Sequence, residues 1–440
     1  MLNDTDENRA TSSSSMAFNE KKEYTSVIVN FLRTTDTGKD PGPPPDGGFV
    51  AWLQAILGNL VVFTTWGYIN SYGVFQSYYT EALDRSQSDI SWMGSVQIFF
   101  LFFIGTFSGR ATDAGWFRLT FLCGIIIQLV GLFTTSVATK YYQVFLAQGV
   151  AVGIGSGLIF CSALSVVAPY FSKHRGFAIA VTATGSALGG LVYPATVSRL
   201  LPQVGFPWTM RVVSFLTLAL HIPSIIFFRP RLPPRKTGPL LDLKAFKEPP
   251  YVLFTTGMFF NFWGLYVAFF YLGTFARDEL DLSQSQSTDL LMVLNGIGVV
   301  SRLFPAFIAD RWVGLLNSLI PFSLSTAIVM YCWAAVDSVA GLYVFAAFYG
   351  IVAAGMQALF PSTLASLTTD LSKTGIRLGM VFSCIAFACL TGTPIAGALI
   401  QRNDGYYLYA QMFAGSSMTV GSLLVMTARY KKGGLKMVKV

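Results

Sequence analysis

Arg302 carries a charge that the surrounding sequence does not explain. It sits inside an apolar run, eight residues before the next charge, Asp310, which is roughly 12 Å along a helix. A guanidinium at that depth in hydrocarbon costs at least about 2.5 kcal/mol. It needs a counter-charge, water or backbone carbonyls. Glu81, Asp84, Asp89, Asp278, Glu279, Asp281, Asp289, Asp337, Asp370 and Asp404 all fall in loops or at the ends of apolar runs. Asp113 and Asp310 close such runs, and the remaining acids lie in polar segments. The partner is therefore expected to be the anion or polarised carbonyl of a small organic solute. An arginine snorkelling to water or bonded to backbone carbonyls is the alternative.

Other polar residues within apolar runs join it. Asn70, Tyr72, Trp263, Asn295 and Gln357 are expected to contact the same solute, drawn from a wider set that includes Asn59, Gln76, Gln97, Asn261 and Tyr266. Aromatic rings with a few amides suit an amphipathic organic molecule. His221 is the one histidine inside an apolar run; it could exchange protons near neutral pH or be a neutral, hydrogen-bonded helix residue. Asp113 with Arg118, and Asp310 with Arg311, mark two corners where a carboxylate meets a short basic loop. They read as structural ion pairs or as gates.

The elements that position these residues are membrane helices. The chain has 440 residues, 53% hydrophobic and 12% charged, with mean hydropathy +0.55, against about 25% charge in a soluble domain. Apolar runs of about 20 residues, the length that crosses hydrocarbon, are expected at 50–74, 90–110, 117–138, 142–168, 177–199 and 208–228. Six more are expected at 251–275, 288–309, 313–334, 339–363, 377–401 and 406–428. Between the sets lies a linker, 229–250, with six Lys or Arg and six prolines, which cannot cross a bilayer as a helix. The expected organisation is thus a tail at 1–48, a six-helix bundle at 49–228, the linker, a second bundle at 251–428 and a tail at 429–440.

Of the 30 Lys and Arg, 23 fall in the tails, the linker and the loops on their side, and 6 in the opposite loops. Both termini are expected in the cytosol. The net charge of +8 encodes orientation, and no nucleic-acid partner is expected. The N-terminal tail is polar and carries a Thr11–Ser15 run; disorder is expected. The five cysteines all fall in apolar runs and read as small buried groups. Neither cofactor nor metal is implied. With two histidines, no HExxH, no nucleophile elbow and no P-loop, an enzyme is not expected. A non-transporting sensor would call for a larger signalling tail.

The halves echo each other. Gly105-x-x-x-Gly109-x-x-x-Asp113 matches Arg302-x-x-x-Ala306-x-x-x-Asp310. Arg175-Gly176, followed by Gly185, Gly189 and Pro194, matches Arg377-Leu378-Gly379, followed by Gly392, Pro394 and Gly397. A parallel six-plus-six repeat places a site between the halves near the midplane. Small residues four apart, as also in Gly149, Gly153 and Gly157, allow close helix contact in lipid.

These residues resemble a family. Asp46-Gly47-Gly48-Phe49-Val50-Ala51-Trp52 is similar to the entry signature of the monocarboxylate-porter branch of the major facilitator superfamily. Tyr170-Phe171-Ser172-Lys173-His174-Arg175-Gly176-Phe177-Ala178 is similar to its second signature. Asp113-Ala114-Gly115-Trp116-Phe117-Arg118 and Gly392-Thr393-Pro394-Ile395-Ala396-Gly397 resemble fungal members. The resemblance covers about residues 46–430. It implies an all-α fold of twelve transmembrane helices, with proton-linked or facilitated movement of small organic molecules by alternating access. It also implies that Arg302 is the substrate-contacting arginine of the eighth helix. The branch's carboxylate porters place an acid one turn earlier, where Gly298 stands, and a lysine late in the first helix, where Asn70 stands. Lactate-like proton symport is therefore not implied. Part of the helix-five glycine spacing of drug exporters is present, without its Gly-Pro pair. The expected function is export of a secondary metabolite or organic acid across the plasma membrane. Import of a monocarboxylate or a vitamin such as riboflavin, or an internal membrane such as the vacuole's, is the alternative.

Overall fold

In lipid every backbone polar group must find its partner inside the protein, and helices achieve this within each segment. The computed structural model accordingly contains helices and no strand among its described residues. It describes residues 42–234, 242–368 and 374–434, except the side chains of 310, 365, 374 and 375. Most of the expected N-terminal tail, Arg235 and Lys236 of the linker, Asp370 and the last six residues lie outside that set.

The order is α1 Gly48–Val62, a π-turn Phe63–Gly67, α2 Tyr68–Asn70 and α3 Tyr72–Ala82. There follow α4 Gln87–Ala111, α5 Phe117–Thr135, α6 Tyr141–Val144, a π-helical stretch Phe145–Val152, α7 Gly153–Val167 and α8 Arg175–Phe227. Past the linker come α9 Pro249–Asp278, α10 Gln284–Ile308, α11 Leu315–Cys332, α12 Val339–Leu367, α13 Thr374–Arg402 and α14 Leu408–Gly433. Among the described residues, nine helical stretches are long and apolar enough to cross a membrane. Two of them, Gln87–Thr135 and Arg175–Phe227, run to 49 and 53 residues, far beyond the 20 or so that one crossing takes. Gly115 (φ 91°) and Gly205 (φ 71°) interrupt them. With α14 added, twelve crossings are consistent with these lengths. The chain is a multi-pass membrane protein. The first crossing extends further than its hydropathy indicates, through a π-turn and a kink at Ser71 to Ala82.

The repeat read from the sequence recurs in the backbone. Asp84 and Asp281 both adopt positive φ, each two residues before a serine that opens a helix. Ser86 accepts from Asp89 N at 3.1 Å and Ser283 from Gln286 N at 3.3 Å, satisfying amides at the helix start. Thr112–Trp116 and Ala309–Val313 are both π-turns, and Gly115 and Gly314 share φ 91°.

Glycines set how closely the helices approach. A Cβ on Gly185 would stand 2.1 Å from the Asn59 carbonyl oxygen, and one on Gly189 2.5 Å from that of Phe63, so α8 lies directly on α1. In the second half, a Cβ on Gly392 would meet the Trp263 carbonyl oxygen at 2.1 Å. The ladder in α4 is uneven. A Cβ on Gly105 would stand 2.6 Å from Cys161 Sγ, whereas the nearest atom to a Cβ on Gly109 is 3.8 Å away. Cys161 and Cys389 are buried, but Cys123 and Cys332 are exposed on the outer faces of α5 and α11, contrary to the reading of all five as buried.

The two signature stretches are one structural unit. Asp46 N donates to the Tyr170 carbonyl at 3.1 Å. The Asp46 carboxylate accepts from the amides of Ser172 and of Lys173, the latter at 2.8 Å. Trp52 packs on Phe171 with centroids 5.1 Å apart. Arg231 donates to the carbonyls of Gly42, Pro43 and Pro169, tying in the start of the linker. In the second half, Arg377 at the start of α13 holds Glu248 through two bonds of 2.8 and 2.6 Å and Asp242 at 3.3 Å. In each half, then, an acid just before the first crossing is bonded to the start of the fifth.

Two predictions follow from this packing. Gly189→Val should destabilise the detergent-solubilised protein by about 1–3 kcal/mol, the usual cost of overpacking, while Gly109→Ala leaves its melting temperature unchanged. The amides of Ser172 and then Lys173 hold the Asp46 carboxyl below its ordinary value of 3.8. A depressed carboxylate stabilises the fold above its unfolded pKa, and the effect is lost as pH falls through the folded one. Asp46→Asn should therefore melt below the unsubstituted protein at pH 7, and the gap should close below about pH 3.8.

Candidate functional site

The halves meet along two helix pairs, α4 with α13 and α8 with α10. On the side away from the linker they are sealed. Ser95 and Thr393 share a hydrogen bond and Ser88 Oγ donates to the Pro394 carbonyl at 3.1 Å, while within the second half Tyr271 Oη holds the Thr393 carbonyl at 3.0 Å. Tyr72 and Phe270 lie 4.6 Å apart. Farther out, Arg277 pairs with Glu81 at 2.8 Å and Gln87 donates to Asp278 at 3.3 Å. On the linker side Thr106 Oγ1 donates to the Gly379 carbonyl at 2.7 Å.

Between the halves lies a cavity of ≈ 70 Å³, room for a few water molecules. Its lining comes from the linker-side halves of the helices: Phe102 of α4, Phe160 and Leu164 of α7, Ile179 of α8, Arg302 of α10, Pro361 of α12 and Phe382 of α13. The cavity thus lies on the linker side of the Ser95–Thr393 seal. Trp66, from the π-turn in the first crossing, and Tyr266 of α9 close the inner end. Their rings are nearly parallel, 15° apart, with centroids at 6.2 Å.

Arg302 is 2% exposed and on the cavity wall. Nη1 donates to the carbonyl of Gly298, one turn back, at 3.0 Å. Among the described residues no carboxylate pairs with it. A Cβ on Gly298 would stand 2.6 Å from Nη1, so the absent side chain gives the guanidinium its resting place. Two more polar groups on the lining, Tyr266 Oη and Gln357 Nε2, are buried with no partner. Each can donate, as can the rest of the guanidinium. The lining contains no carboxylate among the described residues.

Of the residues singled out in the sequence, Arg302 and Gln357 line this cavity. Asn70 and Asn295 lie beyond its inner end. Asn70 donates to the Ser186 carbonyl at 3.5 Å, and Asn295 donates to that of Leu291 and packs on the bare backbone of Gly190. Tyr72 belongs to the seal, with its hydroxyl on the Ile90 carbonyl at 2.6 Å. Trp263 turns away, donating to Thr391 Oγ1 at 2.9 Å and packing on Phe413. His221 is buried inside the first half, its Nε2 2.9 Å from Gln128 Oε1. Gln128 Nε2 donates in turn to the Thr64 carbonyl and to Ser156.

Asp113 and Arg118 are half-buried around the π-turn Thr112–Trp116, and neither is free. Arg311 lies over the Trp312 ring at 5.8 Å, and the side chain of Asp310 is outside the described residues. Trp66 was not singled out at all, and Tyr266 only in the wider set. The available signal was the repeat: they stand 18 and 17 residues after the starts of α1 and α9.

Residues 55–388 match the family model described as Major Facilitator Superfamily. The chain is 44% identical over 398 residues to an MFS-type transporter of Gibberella zeae, covering 90% of each. It is 36% identical to an aspyridones efflux protein of Emericella nidulans, over 88% of this chain and 79% of the relative. It is 33% identical to an agnestins efflux protein of Paecilomyces divaricatus, over 92% and 93%.

The seal is testable. Ser95→Ala with Thr393→Val removes the side-chain bond that joins the halves beyond the cavity. A cysteine introduced at the buried Ser91 should then react several-fold faster with a membrane-impermeant thiol reagent than the same cysteine in the otherwise unsubstituted chain. An unchanged rate would show that other contacts hold the seal.

Proposed function

This chain belongs to the major facilitator superfamily, and we propose that it exports a small acidic or amphipathic organic molecule made inside the cell. Movement is by alternating access: the seam opens on one side while it is sealed on the other. The carrying observation is Arg302, buried on the wall of the cavity between the halves and unpaired with any described carboxylate. A solute anion entering from the linker side would supply the missing charge. The arginine then leaves its own Gly298 carbonyl or shares it, and Tyr266 and Gln357 complete the bonding. Opening the Ser95–Thr393 seal would expose the bound molecule to the far side and to water, which weakens the charge interaction and favours release.

The names of the efflux relatives support the outward direction and a secondary metabolite as cargo. The distribution of Lys and Arg supports cytosolic termini, and with them a cavity that faces the cytosol in this state. We place the protein in the plasma membrane by default and, on its two signatures, in the monocarboxylate-porter-like branch. The domain division follows the sequence reading, with the linker joining two six-helix bundles. His221, bonded inside the first bundle, remains the candidate for a proton link, acting through Gln128 and away from the solute.

The test is efflux from cells loaded with candidate organic acids. The unsubstituted protein should speed their loss, and Arg302→Gln should cut the rate by roughly 10- to 100-fold, the worth of a charged hydrogen bond, with expression and targeting intact. Full efflux by that variant, or faster uptake than efflux by the unsubstituted protein, would overturn the reading.

A further inference from the structure

The cavity specifies more than charge. Among its polar groups that lack a full set of partners, Arg302, Tyr266 Oη and Gln357 Nε2 can donate, and the Gln357 and Tyr266 oxygens can also accept. A ligand that itself brings hydroxyl or ammonium donors finds no described carboxylate to receive them. The remaining wall is aromatic, and its geometry favours flat groups. Trp66 and Tyr266, from opposite halves, present nearly parallel rings, and Phe102 and Phe160 set their edges against Trp66 at 61° and 76°.

We propose that the site takes a planar, conjugated oxyanion: a ring system bearing a carboxylate, or a phenolate or enolate whose charge is spread into the ring. The ring stacks on the Trp66 and Tyr266 plates and the oxygens face Arg302, Tyr266 Oη and Gln357 Nε2. Insertion between the plates takes about 7 Å between their planes, two carbon contact distances, and with centroids 6.2 Å apart the rings stand within the range of a contacting pair. The seam must part to admit the ring, which then bridges the halves. Offset stacking on one plate adds roughly 2- to 12-fold in affinity beyond burial, so planarity is read separately from charge. Tyr266 does both jobs, offering a ring face and a hydroxyl. This inference rests on the export reading for the location of the site but is independent of the direction of transport.

The test is calorimetric titration of the full-length protein in lipid nanodiscs with three probes: 2-naphthoate, the flat neutral 2-naphthalenemethanol and the saturated decalin-2-carboxylate. Naphthoate should bind at least 10-fold tighter than either of the others. Trp66→Leu should erase the preference over the saturated acid, and Arg302→Gln the preference over the alcohol. Tyr266→Phe should keep the preference for flatness and weaken naphthoate several-fold. Thermal melting of each variant checks that the fold survives. Equal binding of the two acids, tighter binding of the alcohol, or no binding of naphthoate would overturn the inference. If naphthoate is preferred but loaded cells lose no solute faster, only the export reading fails.

Discussion

One guanidinium in a low-dielectric seam constrains the working part of this molecule. A charge in hydrocarbon is tolerated when it faces the bundle interior, where protein, water or a solute can answer it. Arg302 meets that condition and, among the described residues, receives only the carbonyl of Gly298. The rest of its hydrogen-bonding capacity points to the cavity. Glycine at 298 matters here by what it omits. Any side chain would crowd the guanidinium, and a carboxylate there would neutralise it.

Around that site the structure divides into parts that hold and parts that separate. Holding is done by backbone contact. Gly185 and Gly189 lie against the carbonyls of Asn59 and Phe63, and Gly392 against that of Trp263, with no side chain between to rearrange. It is also done at the linker side, where Asp46 anchors the loop before α8 and Glu248 anchors the start of α13. The seam has close glycine contacts of its own at Gly73 and Gly397, but it is also joined by hydroxyl bonds such as Ser95–Thr393, by the Arg277–Glu81 pair and by aromatic contacts. Bonds of that kind each contribute about 1 kcal/mol net, so they can exchange without unfolding either half.

Much of this was legible in residue order. Arg302 stood out because no acid shared its depth; in the folded molecule no described carboxylate pairs with it, and its Nη1 takes the backbone bond that was the alternative. The family signatures were legible as strings, but their physical meaning was not. Asp46 and Ser172 are 126 residues apart, and only folding shows that one carboxylate caps the other segment. Tyr72, Trp263 and Asn295 were candidates because they are polar or aromatic within apolar runs. Whether such a residue turns to a cavity, a neighbouring carbonyl or a seal depends on helix rotation. With nearly every face of these helices apolar, hydropathy carries little information on rotation. Trp66 was missed for the same reason, and so was the division of roles between Gly105 and Gly109.

The sequence by itself determined that the chain is a bundle of membrane helices in two related halves, because lengths of apolar residue and their interruption are one-dimensional properties that the bilayer reads directly. It also determined that one cation stands inside an apolar run with no acid at its depth, since that follows from a count of charges against depth. Only the tertiary structure decided which groups surround that cation, that two aromatic plates from opposite halves share its cavity, and that the seam is sealed on one side. Those are matters of helix rotation and of contact between residues hundreds of positions apart, set by where glycines let the backbones touch.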